Sequence, residues 1–326
     1  MHPAFSVIFL TTLIGAGQGL FMALVTGQVY SIAHLLEAQD GPTFYAFGSG
    51  LSVVLLGLGL FASFFHLGHP ERAWRAATRW RTSWLSREVI ILPIFMFFAA
   101  LYGFIHYMEW TQPLIVVADT LVIDASLIVG VLGVVAAVIL FVCTAMIYAS
   151  VKFIQEWHSP LTVANFMFLG LASGFTLAAA FSAWIGTELV GFFGTWAVIF
   201  TIIAFATRAF SLRRNANIKH KSSLRTAIGI RHPVIRQRSQ GFMGGSFNTR
   251  EFFHGASDTT LKTIKLFFLL TVFALPVFLL AGSYSSESAY VGILAFVVQY
   301  FGLVAERWYF FAEAKHPQNL YYQSMA

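Results

Sequence analysis

Cysteine and charge are both scarce in this sequence. The one cysteine, Cys143, has no second thiol with which to form a disulfide, and it cannot hold an iron–sulfur cluster, which typically needs four cysteine ligands. Without a C-x-x-C-H motif the chain cannot attach a c-type haem covalently. Only 10% of the residues are charged, whereas soluble domains carry roughly 25%. The sequence therefore predicts a membrane protein with no iron–sulfur cluster in this chain.

Long apolar runs take the place of the missing charge. Hydrophobic residues make up 58% of the 326 positions, and the mean hydropathy is +0.74. A helix needs about 20 largely apolar residues to cross a bilayer core, and eight charge-free runs come near that length. None alternates as barrel strands do. The first run has no positive start and no small-residue cleavage site, which predicts a retained helix.

These runs predict an all-α fold, an integral membrane bundle of eight transmembrane helices that forms one membrane domain over residues 1–326. The predicted spans are about 5–33, 44–67, 89–108, 122–149, 160–185, 189–208, 264–282 and 288–311.

The charges divide between the two sides of this bundle. With eight spans, both termini and the loops after spans two, four and six share one side, which holds all 20 Lys and Arg residues. The opposite loops carry only acids: Glu37, Asp40, Glu109, Asp119, Asp124, Glu188 and Glu287. Because cytoplasmic loops are enriched in Lys and Arg, we predict a multi-pass protein of the bacterial inner membrane with both termini in the cytoplasm.

The one long polar insert, a basic cytoplasmic loop over residues 211–260, admits two interpretations. It is rich in Arg, Lys, Ser, Gly and Asn. It either lies on anionic lipid headgroups or docks a soluble partner and becomes ordered on binding. It contains no nucleic-acid-binding motif, so no nucleic acid is expected as a partner.

Residues 61–88 form the densest polar and aromatic patch near a membrane face. Arg72, Arg75 and Arg79 recur at helical spacing, and three tryptophans are interleaved among them, at positions 74, 80 and 84. This pattern is typical of a short interfacial helix after span two, with tryptophans at headgroup depth and arginines reaching phosphates. The sequence predicts membrane lipids as one partner of this segment.

Two ionisable residues at the edges of spans suggest a quinone site. His66 ends span two and Glu88 begins span three, and an ionisable group at such a position needs a partner. A quinone carbonyl accepts a hydrogen bond, and its reduction requires groups that exchange protons. A structural role for His66 is the alternative. The Glu306–Arg307 pair in span eight either neutralises itself or lines a polar path.

Histidine also ligates haem b, usually as an axial pair on facing helices. His66 lies on one side of the membrane, and His34 and His106 lie on the other, so no paired pattern recurs within one helix. A haem-bearing cytochrome subunit stays an alternative. A secondary transporter is a third class, but its broken helices and mid-membrane charges are not evident here.

Several segments together resemble the dimethyl sulfoxide reductase anchor subunit family. They are the His2–Ser6 start, the stretch from Phe64 to Ala73 (FFHLGHPERA), the stretch from Ser83 to Glu88, and Glu306-Arg307. The resemblance covers nearly the whole chain. The best-known members carry their catalytic subunits on the periplasmic side, whereas the charges here place the His66 face in the cytoplasm. The chain therefore resembles most the branch of cytoplasm-facing sulfite dehydrogenase anchors, which is similar also in its long basic loop and in the HPERAW segment.

The resemblance implies a subunit that is not itself catalytic and binds no metal. It implies two partners, a ferredoxin-like iron–sulfur subunit and a molybdopterin catalytic subunit, and electron exchange with menaquinone or ubiquinone. Sulfite oxidation is the expected reaction, with a quinol-oxidising sulfoxide or polysulfide reductase as the alternative. The predicted quinone-binding residues are His66, Glu88, Arg72 and Arg307. Secondary candidates are His69, Trp74, Arg81 and Ser83.

Overall fold

The protein is a bundle of long helices. A computed structural model describes residues 1–117, 121–186, 188–219, 223–232, 234, 254–286 and 289–317. In this part of the chain, eight helices are long and apolar enough to cross a membrane, which confirms the predicted fold class and number of spans. Only helices satisfy every backbone polar group inside one segment in lipid, which is why apolar length predicts them so well.

The helices occur in the following order. The first three spans are α1 (Phe5–Ile32), α2 (Phe47–Ser63, with a π turn Gly41–Ala46 before it and a 3-10 turn Phe64–His66 after it) and α3 (Trp84–Tyr107). The next three are α4 (Ala125–Ala149), α5 (Pro160–Ile185) and α6 (Val190–Ala216). The short helix α7 (Leu224–Ile228) follows. The seventh span comprises α8 (Asp258–Leu269), a π turn (Leu270–Ala274) and α9 (Leu275–Ser286), and α10 (Ala289–Glu313) is the eighth.

The two ends of the bundle differ in charge. Every Lys and Arg among the described residues lies at the end where α2, α4, α6 and α10 finish; we call this the basic end. The Met1 nitrogen donates a hydrogen bond of 2.9 Å to the Ala314 carbonyl, so residue 1 and the end of α10 meet there. The opposite end is the acidic end. Of the predicted charges, Asp119, Glu287, Lys221, Arg236, Arg238 and Arg250 lie outside the described residues, as do residues 220–222, 233 and 235–253 of the 211–260 loop.

Helices α1 and α5 form the centre of the bundle and are its most buried spans. They cross at glycines: a Cβ atom added to Gly174 would overlap the backbone of Gly19, and one added to Gly19 would overlap the backbone of Gly170. Between membrane helices there is little hydrophobic driving force, so association depends on such close packing of small residues. The crossing brings the first half of the chain against the second.

The structure adds one element to the prediction and lengthens another. A two-stranded antiparallel hairpin, β1 (Pro113–Val117) and β2 (Leu121–Asp124), precedes α4, which begins at Ala125 because the Asp124 carboxylate accepts a hydrogen bond from the Leu127 amide. Helix α6 continues to Ala216, beyond the predicted start of the loop. Its last turns are held because Arg214 Nη2 donates to the carbonyls of Gln155 and His158.

The segment after span two forms a 3-10 helix from Pro70 to Arg79. None of its residues is buried, and Trp74 is 67% exposed. That it lies in the membrane interface remains a prediction.

Candidate functional site

Four charged side chains meet inside the bundle near the basic end. Helix α5 packs against both α6 and α10, and long side chains from those two helices come together beside it. Arg208 Nε of α6 lies 2.8 Å from Glu306 Oε1 of α10. Arg307 Nη1 lies 3.2 Å from Glu306 Oε2, and Arg208 Nη1 lies 3.9 Å from Glu313 Oε2. We call Arg208, Glu306, Arg307 and Glu313 the ion cluster.

The ion cluster is almost completely buried. The Glu306 side chain is 0% exposed and that of Arg208 is 1% exposed, while Glu313, with 17% exposure, is the member nearest the surface. Two arginines and two glutamates balance in charge, which offsets the high cost of removing single ions from water. Aromatic rings enclose the cluster: the Arg307 guanidinium lies 3.6 Å from the centre of the Phe166 ring, and that of Arg208 faces Phe268.

Several polar atoms of the cluster have no aligned hydrogen-bond partner in the described structure. They are Arg208 Nε and Nη2, both carboxylate oxygens of Glu306, and Arg307 Nη1. Arg208 Nε is close to Glu306 Oε1 but poorly aligned with it, so the contact is an ion pair without a directional hydrogen bond. Buried polar groups are normally satisfied by protein or by ordered water.

A second polar site lies beside this cluster, around Glu88. The Glu88 carboxylate is buried on the first turns of α3 and accepts a 2.5 Å hydrogen bond from Thr144 Oγ1 of α4. It lines a narrow cavity among α1, α3, α4 and α5; the other lining residues are Leu10, Thr11, Ile14, Gly15, Gln18, Phe141, Thr144 and Phe166. The free volume of about 10 Å³ matches one water molecule. The ring of a quinone does not fit there.

Two aromatic residues connect the Glu88 cavity with the ion cluster. Phe166 lines the cavity and also carries the Arg307 guanidinium on its ring. The Tyr148 ring stacks on Phe166 with centroids 5.5 Å apart. The structure therefore brings Glu88 and Arg307, predicted from opposite ends of the sequence, to one buried region.

His66 lies elsewhere at the same end of the bundle. It is exposed at the end of the 3-10 turn that follows α2, and it has no hydrogen-bond or ion-pair partner among the described residues. The rings of Phe61, Phe64 and Phe65 beside it are exposed as well, in the stretch where the span ends. Gly59 of α2 packs against Leu10 and Ile14 of α1, which also line the Glu88 cavity. Helix α1 thus separates His66 from Glu88.

The other predicted residues lie on the surface near His66. His69 Nδ1 and Arg72 Nε lie 3.1 Å and 3.5 Å from the same Glu71 carboxylate oxygen. Trp74 and Arg81 are exposed, and Arg81 lies over the Trp80 ring. Ser83 is the N-cap of α3: its hydroxyl oxygen accepts a hydrogen bond from the Ser86 backbone amide. The structure gathers Arg72 with His69, but not with Glu88 or Arg307.

Sequence reasoning misses most of the ion cluster. It makes Arg208 the last residue of the predicted span 189–208 and counts it only among the cations of one side, whereas the Arg208 side chain is buried because α6 continues for eight residues beyond it. It pairs Glu306 only with Arg307, whereas Glu306 also contacts Arg208. A continued helical pattern at Ser211 and Leu212, both buried, is the signal that could have indicated this.

The histidines considered for haem do not converge on one site. His66 lies at the basic end, while exposed His34 and buried His106 lie at the acidic end. His106 is enclosed by Tyr45 and Tyr102. The centroid of each tyrosine ring lies 4.6 Å from the centroid of the His106 imidazole. Among the described residues, no group of three His, Cys, Asp or Glu side chains could hold a metal ion.

Comparison with known proteins matches this architecture to a membrane anchor. The family model for the DMSO reductase anchor subunit (DmsC) matches residues 1–311. The chain is also 62% identical to the C subunit of sulfite dehydrogenase from Allochromatium vinosum over 326 residues, which is the full length of both proteins. Because eight of its described helices are able to cross a membrane, this chain is a multi-pass membrane protein. The chain belongs to the DMSO reductase anchor subunit (DmsC) family.

Proposed function

We propose that this chain is the quinone-reactive membrane anchor of a cytoplasm-facing sulfite dehydrogenase. A molybdopterin catalytic subunit oxidises sulfite, the electrons pass through an iron–sulfur subunit, and this anchor provides the site where they reduce menaquinone or ubiquinone. The observation that carries the proposal is the full-length match, at 62% identity, to the C subunit of a sulfite dehydrogenase. The same match favours sulfite over a sulfoxide or polysulfide as the substrate of the complex.

His66 is the best candidate to bind the quinone ring. An exposed imidazole without a described partner can donate a hydrogen bond to a ring carbonyl. Exposed Phe61 and Phe65 beside it offer an apolar surface to the ring and its tail. The arginines at positions 72, 75, 79 and 81 follow His66 in the sequence, are all exposed, and offer a positive surface to the iron–sulfur partner. Because the Glu88 cavity holds only about one water and α1 lies between Glu88 and His66, Glu88 is not a direct ligand of a ring bound at His66.

Orientation is the first test. Every described Lys and Arg lies at the basic end, so we expect that end to face the cytoplasm. A reporter that is active only in the periplasm should be silent after residue 326 and active when inserted between Glu109 and Pro113. The reverse pattern would place the docking face in the periplasm and contradict a cytoplasm-facing enzyme.

Replacing His66 with phenylalanine is the second test. The change keeps an aromatic ring and removes the hydrogen-bond donor. Leaving the quinone carbonyl without that donor costs about 1–3 kcal/mol. Sulfite-dependent quinone reduction by membranes with the full complex is therefore expected to fall roughly 5- to 150-fold. Activity with a soluble artificial electron acceptor should persist, because the catalytic subunit is untouched.

His34→Asn is the matched control, since it removes an exposed imidazole at the acidic end. His34 has a φ of 57°, a conformation that asparagine tolerates well. Unchanged quinone kinetics in an assembled His66→Phe complex would remove His66 from the site. Equal losses in both variants would indicate a general effect on the bundle.

A further inference from the structure

We propose that the soluble iron–sulfur subunit docks on the middle of the basic end, where the Phe153 ring enters an apolar pocket of that subunit and carboxylates of the subunit surround it. The docking surface comprises residues 150–159, 213–217 and 314–317, which we call the central platform. The identity of the partner rests on the proposed function. The residues of the central platform are distinct from the arginines that follow His66.

The position of a docking surface on this chain is restricted by the membrane. The chain belongs to an anchor subunit family, and an anchor holds the soluble part of its enzyme through its own surface. Lipid covers the sides of the bundle, so a soluble subunit meets one of its two ends. Every described Lys and Arg lies at the basic end, which therefore attracts a partner with an acidic surface.

The central platform lies over the middle of the bundle. Helix α5, which with α1 is the most buried span, begins at Pro160 directly after the first segment of the platform. The ring centroids of Phe153 and His316 are 5.5 Å apart, so the loop after α4 meets the segment after α10. Because α4 and α10 both pack against α1 and α5, this contact crosses the centre of the bundle. Lipid around the bundle does not reach that position.

Contacts within the central platform hold it in shape. Buried Trp157 donates a hydrogen bond of 3.1 Å from Nε1 to the Phe310 carbonyl of α10. The bonds from Arg214 to two carbonyls of the loop join the end of α6 to it, and Asn215 donates to Glu313 of α10. A surface that is ordered before binding loses less conformational freedom when a partner arrives. The platform is therefore prepared for docking by the fold itself.

Phe153 is the exposed aromatic residue of this ordered loop. Its ring is 59% exposed, whereas the following Ile154 and nearby Trp157 are buried and hold the loop against the bundle. The exposed part of the Phe153 ring adds nothing to that core. Aromatic residues are enriched in protein interfaces, and lipid is excluded here by position, so a protein partner is the occupant that fits.

The rim of the central platform is positively charged. Each of its three segments supplies an exposed cation: Lys152, Arg213 and Lys315. The acids of these segments and of the adjoining end of α10 are Glu156, which is buried, and Glu313, which is 17% exposed. An apolar ring inside a charged rim has the layout of a protein interface, and its charge selects a partner with carboxylates around an apolar pocket.

Phe153→Ala tests the docking surface directly. The assembled complex is immobilised through a tag on this chain, and the iron retained per anchor is measured during washing. Truncation of a central aromatic contact is expected to speed the release of the soluble subunits roughly 30-fold. The thermal stability of the anchor itself should not change, because the Phe153 ring is exposed.

Phe210→Ala is the matched control. Its ring is 64% exposed near the same end of the bundle, but it lies on α6 within a span and outside the central platform. Release from this variant should match the wild-type rate. Equal acceleration in both variants would indicate a general effect of removing an exposed ring and would overturn the proposal.

Charge reversal tests the rim independently of Phe153. In the double variant Lys152→Glu and Lys315→Glu, rebinding of released soluble subunits should slow down and lose its acceleration at low salt. Rebinding with the wild-type rate and salt dependence would contradict a docking site on the central platform.

The same measurements separate this proposal from the proposed function. A wild-type anchor that retains no iron-bearing subunit would overturn the proposed function, whatever Phe153 does. Wild-type retention that is unchanged in Phe153→Ala would overturn only the central platform. Faster release from Arg72→Ala together with wild-type release from Phe153→Ala would place docking on the segment after α2 and overturn the central platform as well.

Discussion

Arg208→Met is expected to destabilise the protein by about 3–5 kcal/mol, the usual result of removing one partner from a buried ion pair. Arg208 is 1% exposed and is the cation nearest Glu306 on another helix. Methionine fills similar space but leaves Glu306 with Arg307 alone and Glu313 without its buried cation. The fraction of protein that stays monodisperse in detergent after heating, or a denaturant titration of helix content, measures the loss.

The control for this variant lies on the same helix. Arg213 is exposed near the end of α6, so Arg213→Met is expected to change the free energy of unfolding by no more than about 0.5 kcal/mol. Arg208→Lys should recover part of the stability, because it keeps the charge but not the planar fork. If Arg208→Met behaves like Arg213→Met, then Arg208 is not buried against Glu306 and the ion cluster does not exist as described.

Gly174→Ala is expected to prevent α1 and α5 from reaching their crossing. The added methyl carbon would overlap backbone atoms of Gly19, and backbone cannot move aside as a flexible side chain can. Overpacking usually costs about 1–3 kcal/mol and occasionally more; a clash with backbone at the centre of the bundle belongs at the upper end. We expect strongly reduced yield of folded protein in membranes and a lower unfolding temperature in detergent.

Gly194→Ala provides the comparison for the crossing. Gly194 lies within α6, and a Cβ atom there would meet no other atom within 4 Å. This substitution is expected to be neutral or slightly stabilising, because alanine loses less conformational freedom in a helix than glycine does. Equal behaviour of the two variants would contradict the close approach of α1 and α5.

The number of membrane spans and their helical class were predictable because the membrane restricts the choices. A span must be apolar over about 20 residues and must satisfy its own backbone, so charge-free runs alone indicated eight helices. The ends of elements were less predictable. Helix α6 extends through Arg213 and Arg214 because Arg214 bonds to carbonyls of the preceding loop, a contact with residues 56 and 59 positions away. Local sequence does not encode such a contact.

The residues of the site also divide into those that local sequence reveals and those that depend on contacts between distant parts of the chain. His66, Arg72 and Trp74 were recognised because surface features of one continuous segment can be read along the chain, and their link to quinone remains a proposal. The ion cluster could not be recognised in this way, because Arg208 and Glu306 are 98 positions apart and each alone looks like an ordinary charge at the edge of a span.

The sequence by itself determined the membrane class, the eight helices and the side on which the charges collect, because these depend on local hydropathy and on charge counts between spans. Only the tertiary structure decided which charges are buried and with what partners. The glycine crossing of α1 and α5 draws the two halves of the chain together, and α5 in turn packs against both α6 and α10. That packing removes Arg208, Glu306 and Arg307 from solvent and brings them into contact with one another. The sequence alone does not show that they form a cluster, because Arg208 and Glu306 lie on different helices.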